Sequence, residues 1–375
     1  MFRKTIRLFR LFGIPVELDL SWILILVLVT WTFATGYYPE NFPGLFSIGE
    51  RWLIGLITAL LLFASILLHE FSHSLVAIRN GLPIRRITLF MFGGVAQMDR
   101  EVDDPLVELK MAAAGPLMSV ILAALFYSLS LLSRSLFIVP VLMRSLANLN
   151  VAVLVFNMVP GFPLDGGRIL RAAIWYRTGN LRRATRIASR IGSGFAILLM
   201  LAGLFFFISY GSFIGGLWLI FIGFFLRQAA RSGYMMVAFK ETLGHMRVAE
   251  VMQPDVVTVD VSSTLSSLVD DYFLRYHYSS FPVVEGRILR GIISLEDLRN
   301  TDRTIWQEVT VGEVLDPAFA AHILHPHDPA EKLLHFIMRK GYDRLPVVDD
   351  DGSVVGVVTR QDLLATIKVM TSLKE

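Results

Sequence analysis

Residues 52–78 read WLIGLITALLLFASILLHEFSHSLVAI. A bilayer core is crossed by roughly 20 apolar residues in a helix, and this run is long enough. Near its end it carries His69, Glu70 and His73, in the spacing H-E-x-x-H. Positions i and i+4 of a helix stand one turn apart on one face, so both imidazoles can hold a single zinc ion. Glu70 lies beside them, suited to act as general base on a water molecule. Imidazole and carboxylate donors suit Zn2+ and also accommodate Fe2+ or Co2+. His69 and His73 are the only histidines in the first 244 residues, and Glu70 is the only acid between Arg51 and Met98. Polar groups in an apolar helix cost on the order of several kcal/mol, which makes them a functional hypothesis by default.

The chain as a whole is apolar. Of its 375 residues, 54% are hydrophobic and only 18% charged, which a soluble domain of ordinary composition does not show. Cysteine is absent, excluding disulfides, thiolate metal sites and cysteine nucleophiles. A net charge of +3 gives no case for nucleic acid as a partner. Composition shifts near residues 231–240, which divides the chain into a membrane part over 1–231, a linker over 232–245 and a soluble α/β module beyond. Apolar segments cover residues 20–37, 52–78, 106–132, 136–159, 191–208 and 213–226. The basic clusters are Arg3, Lys4, Arg7 and Arg10; Arg79, Arg85 and Arg86; seven arginines from Arg168 to Arg190; and Arg227 with Arg231. Six crossings put every cluster on one side, the cytosolic one, whereas five leave the last cluster outside. The expectation is a multi-pass protein of a prokaryotic cell membrane, lodged in the lipid bilayer with both termini cytosolic and a retained N-terminal anchor. Residues 209–212 supply the turn between the last two spans, and one long helix over 191–226 is the rival. The arginines from Arg168 to Arg190 are expected to hold topology and touch anionic headgroups. Residues 83–98, PIRRITLFMFGGVAQM, read as a short β-hairpin.

A catalytic zinc keeps three protein ligands. From Leu109 to Lys240 the only acid is Asp165, in the stretch NMVPGFPLDGGR over 157–168. Pro160 and Pro163 cannot continue a helix, so the chain should unwind there, as is tolerated at membrane depth beside a protein-lined cavity. Elimination makes Asp165 the candidate third ligand. A solvated Asp at a helix N-terminus is the other reading, and the residues alone leave both open. The apolar run before His69 makes about 25 Å of helix, so His69, His73 and Asp165 reach one depth near the cytosolic side.

HEFSH on a membrane helix, followed by NMVPGFPLDG after a later one, resembles the site-2 protease family of intramembrane zinc metalloproteases. Both motifs are complete, as His69, Glu70 and His73, and as Asn157, Pro160, Pro163, Asp165 and Gly166; the resemblance covers residues 2–232. It implies Zn2+ held by His69, His73 and Asp165, Glu70 as catalytic base, and Asn157 near the substrate backbone or oxyanion. The implied reaction is cleavage of a transmembrane segment of a membrane protein substrate. Gly115 and Ser119 match a third family feature, G-x-x-x-(N/S/G), although small-xxx-small helix packing also accounts for them. The resemblance further suggests that strands within 83–98 offer an edge to extended substrate. The longest stretch on the outer side, residues 39–51, is too short for a PDZ domain.

The C-terminal part repeats itself. VAEVM at 248–252 recurs as VGEVL at 311–315, FPVV at 281–284 as LPVV at 345–348, and GIISLED at 291–297 as GVVTRQD at 356–362. This order resembles a tandem CBS pair, CBS 1 over 246–305 and CBS 2 over 306–375, able to form a homodimer. The resemblance implies adenine nucleotide (ATP, ADP or AMP) on Ser294 with Asp297 and on Thr359 with Asp362. Helix capping by the same residues is the competing account. His322, His325 and His327 read as a loop before a helix. The expected fold is a multi-pass α-helical membrane domain of six transmembrane helices with a short β-hairpin, plus a soluble α/β tandem CBS module. A CBS-gated channel or transporter is the alternative function, but such proteins duplicate their unwound or charged elements, and here each motif occurs once. That asymmetry favours an enzyme.

Overall fold

The computed structural model describes residues 5–373 apart from 92, 99, 101, 134, 136, 212, 245, 300, 316–322 and 334–343. It divides into two compact units, Met1–Met235 and Met236–Glu375.

The first unit opens with a hairpin. Strands β1 (Thr5–Leu11) and β2 (Ile14–Asp19) are antiparallel, and Phe12 and Gly13 turn between them with φ of 47° and 83°. Two left-handed residues in succession match the right-handed twist of the flanking strands. β3 (Ile84–Phe90) and β4 (Gly93–Met98) form the hairpin expected at 83–98. β2 lies parallel to β3, with Val16 opposite Ile87, so the sheet runs β1-β2-β3-β4. The expected short hairpin is therefore half of a four-stranded sheet, and Arg7 and Arg10 sit in a strand. A register shift between Arg7 and Phe9 breaks the two-residue alternation and hides β1 from a periodicity reading. Arg86 ties the sheet together, donating to Glu17 at 2.9 Å on β2 and to Gln97 at 2.7 Å on β4.

Helices make up the rest of the unit. α1 (Ser21–Thr32) continues through a π-helical turn, Phe33–Tyr37, into α2 (Tyr38–Asn41). α3 (Ile48–Arg79) starts before the apolar run because Ser47 and Glu50 form a capping box: Ser47 Oγ accepts from Glu50 N–H at 3.4 Å and Glu50 Oε2 from Ser47 N–H at 2.8 Å. α4 (Pro105–Leu132) opens on Asp104, which accepts from Leu106 N–H at 2.7 Å. α5 (Val139–Asn157), α6 (Asp165–Thr178), α7 (Leu181–Ser209) and α8 (Phe213–Gly244) follow. Among the described residues, five stretches are long and apolar enough to cross a membrane: Ser21–Asn41, Ile48–Arg79, Pro105–Leu132, Val139–Asn157 and Leu181–Ser209. The chain is an integral membrane protein by that measure.

α7 and α8 are separate helices, with Gly211 at φ 64° in the expected turn; the rival single helix does not form. Glycines let the pair pack backbone to backbone. A Cβ on Gly203 would lie 2.6 Å from the Gly216 carbonyl, and one on Gly223 2.6 Å from the Ala196 carbonyl. These partners run in opposite chain directions, so the two helices are antiparallel. α8 stays helical to Gly244, across the stretch expected as a linker. The charges at Lys240 and Glu241 mark a change of composition, and no proline interrupts the helix there.

In the second unit, β5 (Val259–Asp260) is parallel to β6 (Ser280–Glu285), which is antiparallel to β7 (Ile288–Ser294). The second repeat pairs β8 (Arg344–Val348) with β9 (Val354–Thr359), and Leu324 bridges Val347 in parallel, as β5 does β6. Even the irregularities repeat, with register shifts after Val283 and after Val347. Each of the two cores draws residues from both repeats. Val248 and Val251 are buried with Leu345, Val347 and Val358 of the second repeat, and Val311 with Val259, Phe281 and Ile293 of the first. Paired backbone hydrogen bonds secure the exchange: Gln253 with Val357 at 2.8 and 2.9 Å, and Val311 N–H to the Ser263 carbonyl at 2.8 Å.

Candidate metal centre

His69 and His73 lie one turn apart on α3, and the break after α5 delivers Asp165 as the first residue of α6. All three are buried, at 3%, 5% and 7% exposure. The Asp165 carboxylate straddles the two rings, Oδ2 at 3.0 Å from His69 Nε2 and Oδ1 at 3.3 Å from His73 Nε2. One donor atom from each residue fits within 4.8 Å of the others, and among the described residues no second group of this kind occurs. Both readings of Asp165 therefore hold a part of the answer: it starts a helix, yet it faces imidazoles and not solvent.

The far sides of both rings are held by α4. His73 Nδ1 donates to the Met111 carbonyl at 2.6 Å, and His69 Nδ1 shares a hydrogen bond with Ser119 Oγ at 2.9 Å. A carbonyl only accepts, so Nδ1 of His73 carries the proton and, in the neutral ring, its Nε2 presents a lone pair. That lone pair meets a carboxylate oxygen. Two acceptors facing each other in a buried place need a proton or a metal ion between them, and a set of two imidazoles and a carboxylate suits zinc.

Close approach depends on glycine. A Cβ on Gly115 would fall 2.2 Å from His73 Nε2 and 2.5 Å from His69 Nε2. Gly115 and Ser119 thus combine packing with direct contact to the histidines, as the two accounts of that motif each required. Gly94 on β4 lies over the general-base candidate, since a Cβ there would come within 2.4 Å of Glu70 Cγ. Glycines inside a strand, as Gly93 and Gly94 are, signal such a close neighbour. Ser72, on the helix turn between the two histidines, adds a hydrogen bond to the Ala114 carbonyl at 3.0 Å. The unwound segment after α5 is pressed against its neighbours in the same way. Hypothetical Cβ atoms on Gly166, Gly167 and Gly192 would lie 2.3, 2.1 and 2.1 Å from the backbone of Met158, Gly161 and Phe162.

Asn157 ends α5, half-buried, and no hydrogen bond among the described residues joins it to the three ligand candidates. In the second unit, Ser294 N–H and Oγ–H donate to Asp297 Oδ2 at 2.8 and 2.6 Å. Thr359 makes the same pair to Asp362 Oδ2 at 3.0 and 2.5 Å, and Gln253 Nε2 donates to Asp362 Oδ1 at 2.5 Å. These are the capping contacts that the sequence allowed. His325 and His327 stack with ring centroids 5.5 Å apart in a turn, while His322 lies outside the described residues.

The chain is similar to known proteins over both of its parts. A family model described as Peptidase family M50 matches residues 57–138 and 136–201, and a CBS domain model matches 248–302 and 311–369. A protein of Synechocystis named as a zinc metalloprotease is 33% identical over 97% of this chain and 96% of its own length. The zinc metalloprotease named Rip3 from Mycobacterium tuberculosis is 33% identical over 98% of this chain and 94% of its own. The solved site-2 protease from Methanocaldococcus jannaschii covers 62% of this chain and 95% of that one, at 32% identity and a TM-score of 0.42.

Replacing Gly115 by Ala is expected to abolish metal retention, because the new methyl occupies the space in front of both Nε2 atoms. Ser119→Ala, which loses only the support of one ring, should weaken affinity about 10- to 100-fold. Zinc content of the purified variants after dialysis against a graded chelator measures both, and a Gly115→Ala protein that keeps stoichiometric zinc would contradict the packing described.

Proposed function

The chain belongs to peptidase family M50, the site-2 protease family of zinc metalloproteases, here joined to CBS domains, and from that premise we propose that it is an intramembrane endopeptidase. Its substrates are transmembrane segments of other membrane proteins. The observation that carries this reading is the buried group of His69, His73 and Asp165, with both histidines on a helix apolar enough to cross a bilayer and Glu70 on the same helix turn. These three side chains would hold a zinc ion, which would supply Lewis acidity for polarising a scissile carbonyl. Glu70 takes the proton from the attacking water and passes it to the departing amine, which a carboxylate in hydrogen-bonding reach can do in both directions. Asn157, at the end of α5, binds the substrate backbone or its developing oxyanion. A helical substrate must unwind to be cut, and β4, a free edge of the sheet lying over Glu70, offers backbone partners to the extended segment.

Six crossings complete the topology. Pairing of β2 with β3 requires both strands on one membrane face, with two crossings between them, and the α7/α8 hairpin adds the last two. The basic clusters place that face, and both termini, in the cytosol of a prokaryotic cell. The CBS pair, taken as residues 246–305 and 306–375, binds adenine nucleotide through Asp297 and Asp362, regulates cleavage and supports a homodimer. Nucleotide binding requires the ribose to compete with the Ser294 and Thr359 capping bonds.

Three measurements test these statements. Glu70→Gln should keep its zinc while cleavage of a model transmembrane substrate in liposomes falls by roughly 10²- to 10⁴-fold; wild-type cleavage by that variant would remove Glu70 from the chemistry. His69→Ala should lose both metal and activity. A reporter fused after Gly244 should be found in the cytosol and one inserted at Pro43 outside; the same side for both would exclude the six-span topology. Adenine nucleotide should shift the cleavage rate by roughly 5- to 150-fold, the usual range of allosteric coupling. Asp297→Ala with Asp362→Ala should cancel the shift at unchanged zinc content, and calorimetry without binding at millimolar nucleotide would end the nucleotide proposal alone.

A further inference from the structure

The metal centre leaves a second buried carboxylate without a part to play. Glu108, in the first turn of α4, is 1% exposed. Arg171 Nε donates to its Oε1 at 2.8 Å, a terminal nitrogen of the same guanidinium also reaches that oxygen, and Arg168 Nε stands 4.0 Å away. Both arginines belong to α6, one and two turns beyond Asp165. The Arg171 guanidinium also lies over the Phe162 ring, 5.1 Å from its centroid, in the unwound segment before α6. The sequence reading gave these arginines to lipid headgroups. Their side chains are in fact 21% and 16% exposed and turned toward protein.

Glu108 shares a helix with the groups that hold the far sides of both histidine rings. Positions 108, 111, 115 and 119 are three or four residues apart, which places them along one stripe of α4. From one end to the other the stripe presents the Glu108 carboxylate to α6, the Met111 carbonyl to His73, Gly115 to both Nε2 atoms and Ser119 to His69. Two ligands are therefore referenced to α4 by hydrogen bonds to their rings. The third is referenced to it by an ion pair on the helix that Asp165 begins.

We propose that Glu108 is a positioning residue for the metal centre: by gripping Arg171 and Arg168 it fixes the start of α6, and so Asp165, against the same helix that orients His69 and His73. The proposal rests on the reading of those three residues as zinc ligands. A guanidinium fork sets direction as well as distance, so lysine at 171 does not replace arginine.

The test uses full-length protein in detergent, loaded with zinc, and follows metal release to a coloured chelator together with the melting temperature. Wild type is expected to hold one zinc and release it slowly. Glu108→Gln should release it about 10- to 100-fold faster, the effect typical of a lost outer partner of a metal ligand. Arg171→Lys should move in the same direction by a smaller factor. Glu17→Gln breaks a different ion pair, Glu17 with Arg86 in the sheet, and should leave release at the wild-type rate. Release at the wild-type rate from a folded Glu108→Gln protein overturns the proposal, as does equal acceleration by Glu17→Gln, which would trace the effect to stability in general. Should Glu108→Gln not fold, Arg171→Lys decides by the same criterion. A wild-type protein that takes up no zinc sinks the ligand assignment first and this proposal with it, an outcome distinct from zinc held equally well by all variants.

Discussion

The His73 Nε2 lone pair and the buried Asp165 carboxylate repel unless a proton or a metal ion stands between them. An uncompensated carboxylate in such a place costs on the order of tens of kcal/mol by simple solvation arguments. The first unit is arranged around that requirement. α3 provides two donors for nothing more than the pitch of a helix, while the third must come from residue 165, far along the chain. The break after α5 brings it in at the right level, and α4 lies against both sources. In that sense α4 is the structural reference of the site, although it supplies no ligand.

Such an arrangement needs backbones nearer to one another than side chains normally allow. Gly115 beside the histidines, Gly94 over Glu70, and Gly166, Gly167 and Gly192 around the unwound segment each occupy a point where a single methyl would collide. In lipid there is little hydrophobic gain from pressing helices together, so contact between small residues carries much of the packing. The same property that lets the helices associate also lets the ligands converge.

How much of this could be read beforehand depends on whether the information was local. The spacing of His69 and His73 was legible because it is a property of one helix; Asp165 was a candidate because acids are scarce in lipid, and the family resemblance chose between its two readings. The repeats of the second unit were legible as repeated words. By contrast, β1 was hidden because the bulge near Leu8 destroys its alternation, and the parallel pairing of β2 with β3 joins segments separated by α1, α2 and α3. The helical character of residues 232–244 was masked by charges that looked like an end of structure. Arg168 and Arg171 were misjudged for a similar reason: a charge-side rule describes where arginines sit relative to the bilayer, and their partner Glu108 lies on another helix. Asn157 remains the motif residue that no contact among the described residues explains.

The crossed cores of the second unit have a consequence for its history and its mechanics. Each repeat lends its opening segment, with Val248 in one and Val311 in the other, to its neighbour's interior. Neither half owns a complete hydrophobic interior, so the half-length ancestor implied by the repeated words would have had to trade segments with a second copy of itself. Once fused, the halves share their interiors, and a disturbance at either core reaches both repeats through the exchanged segments.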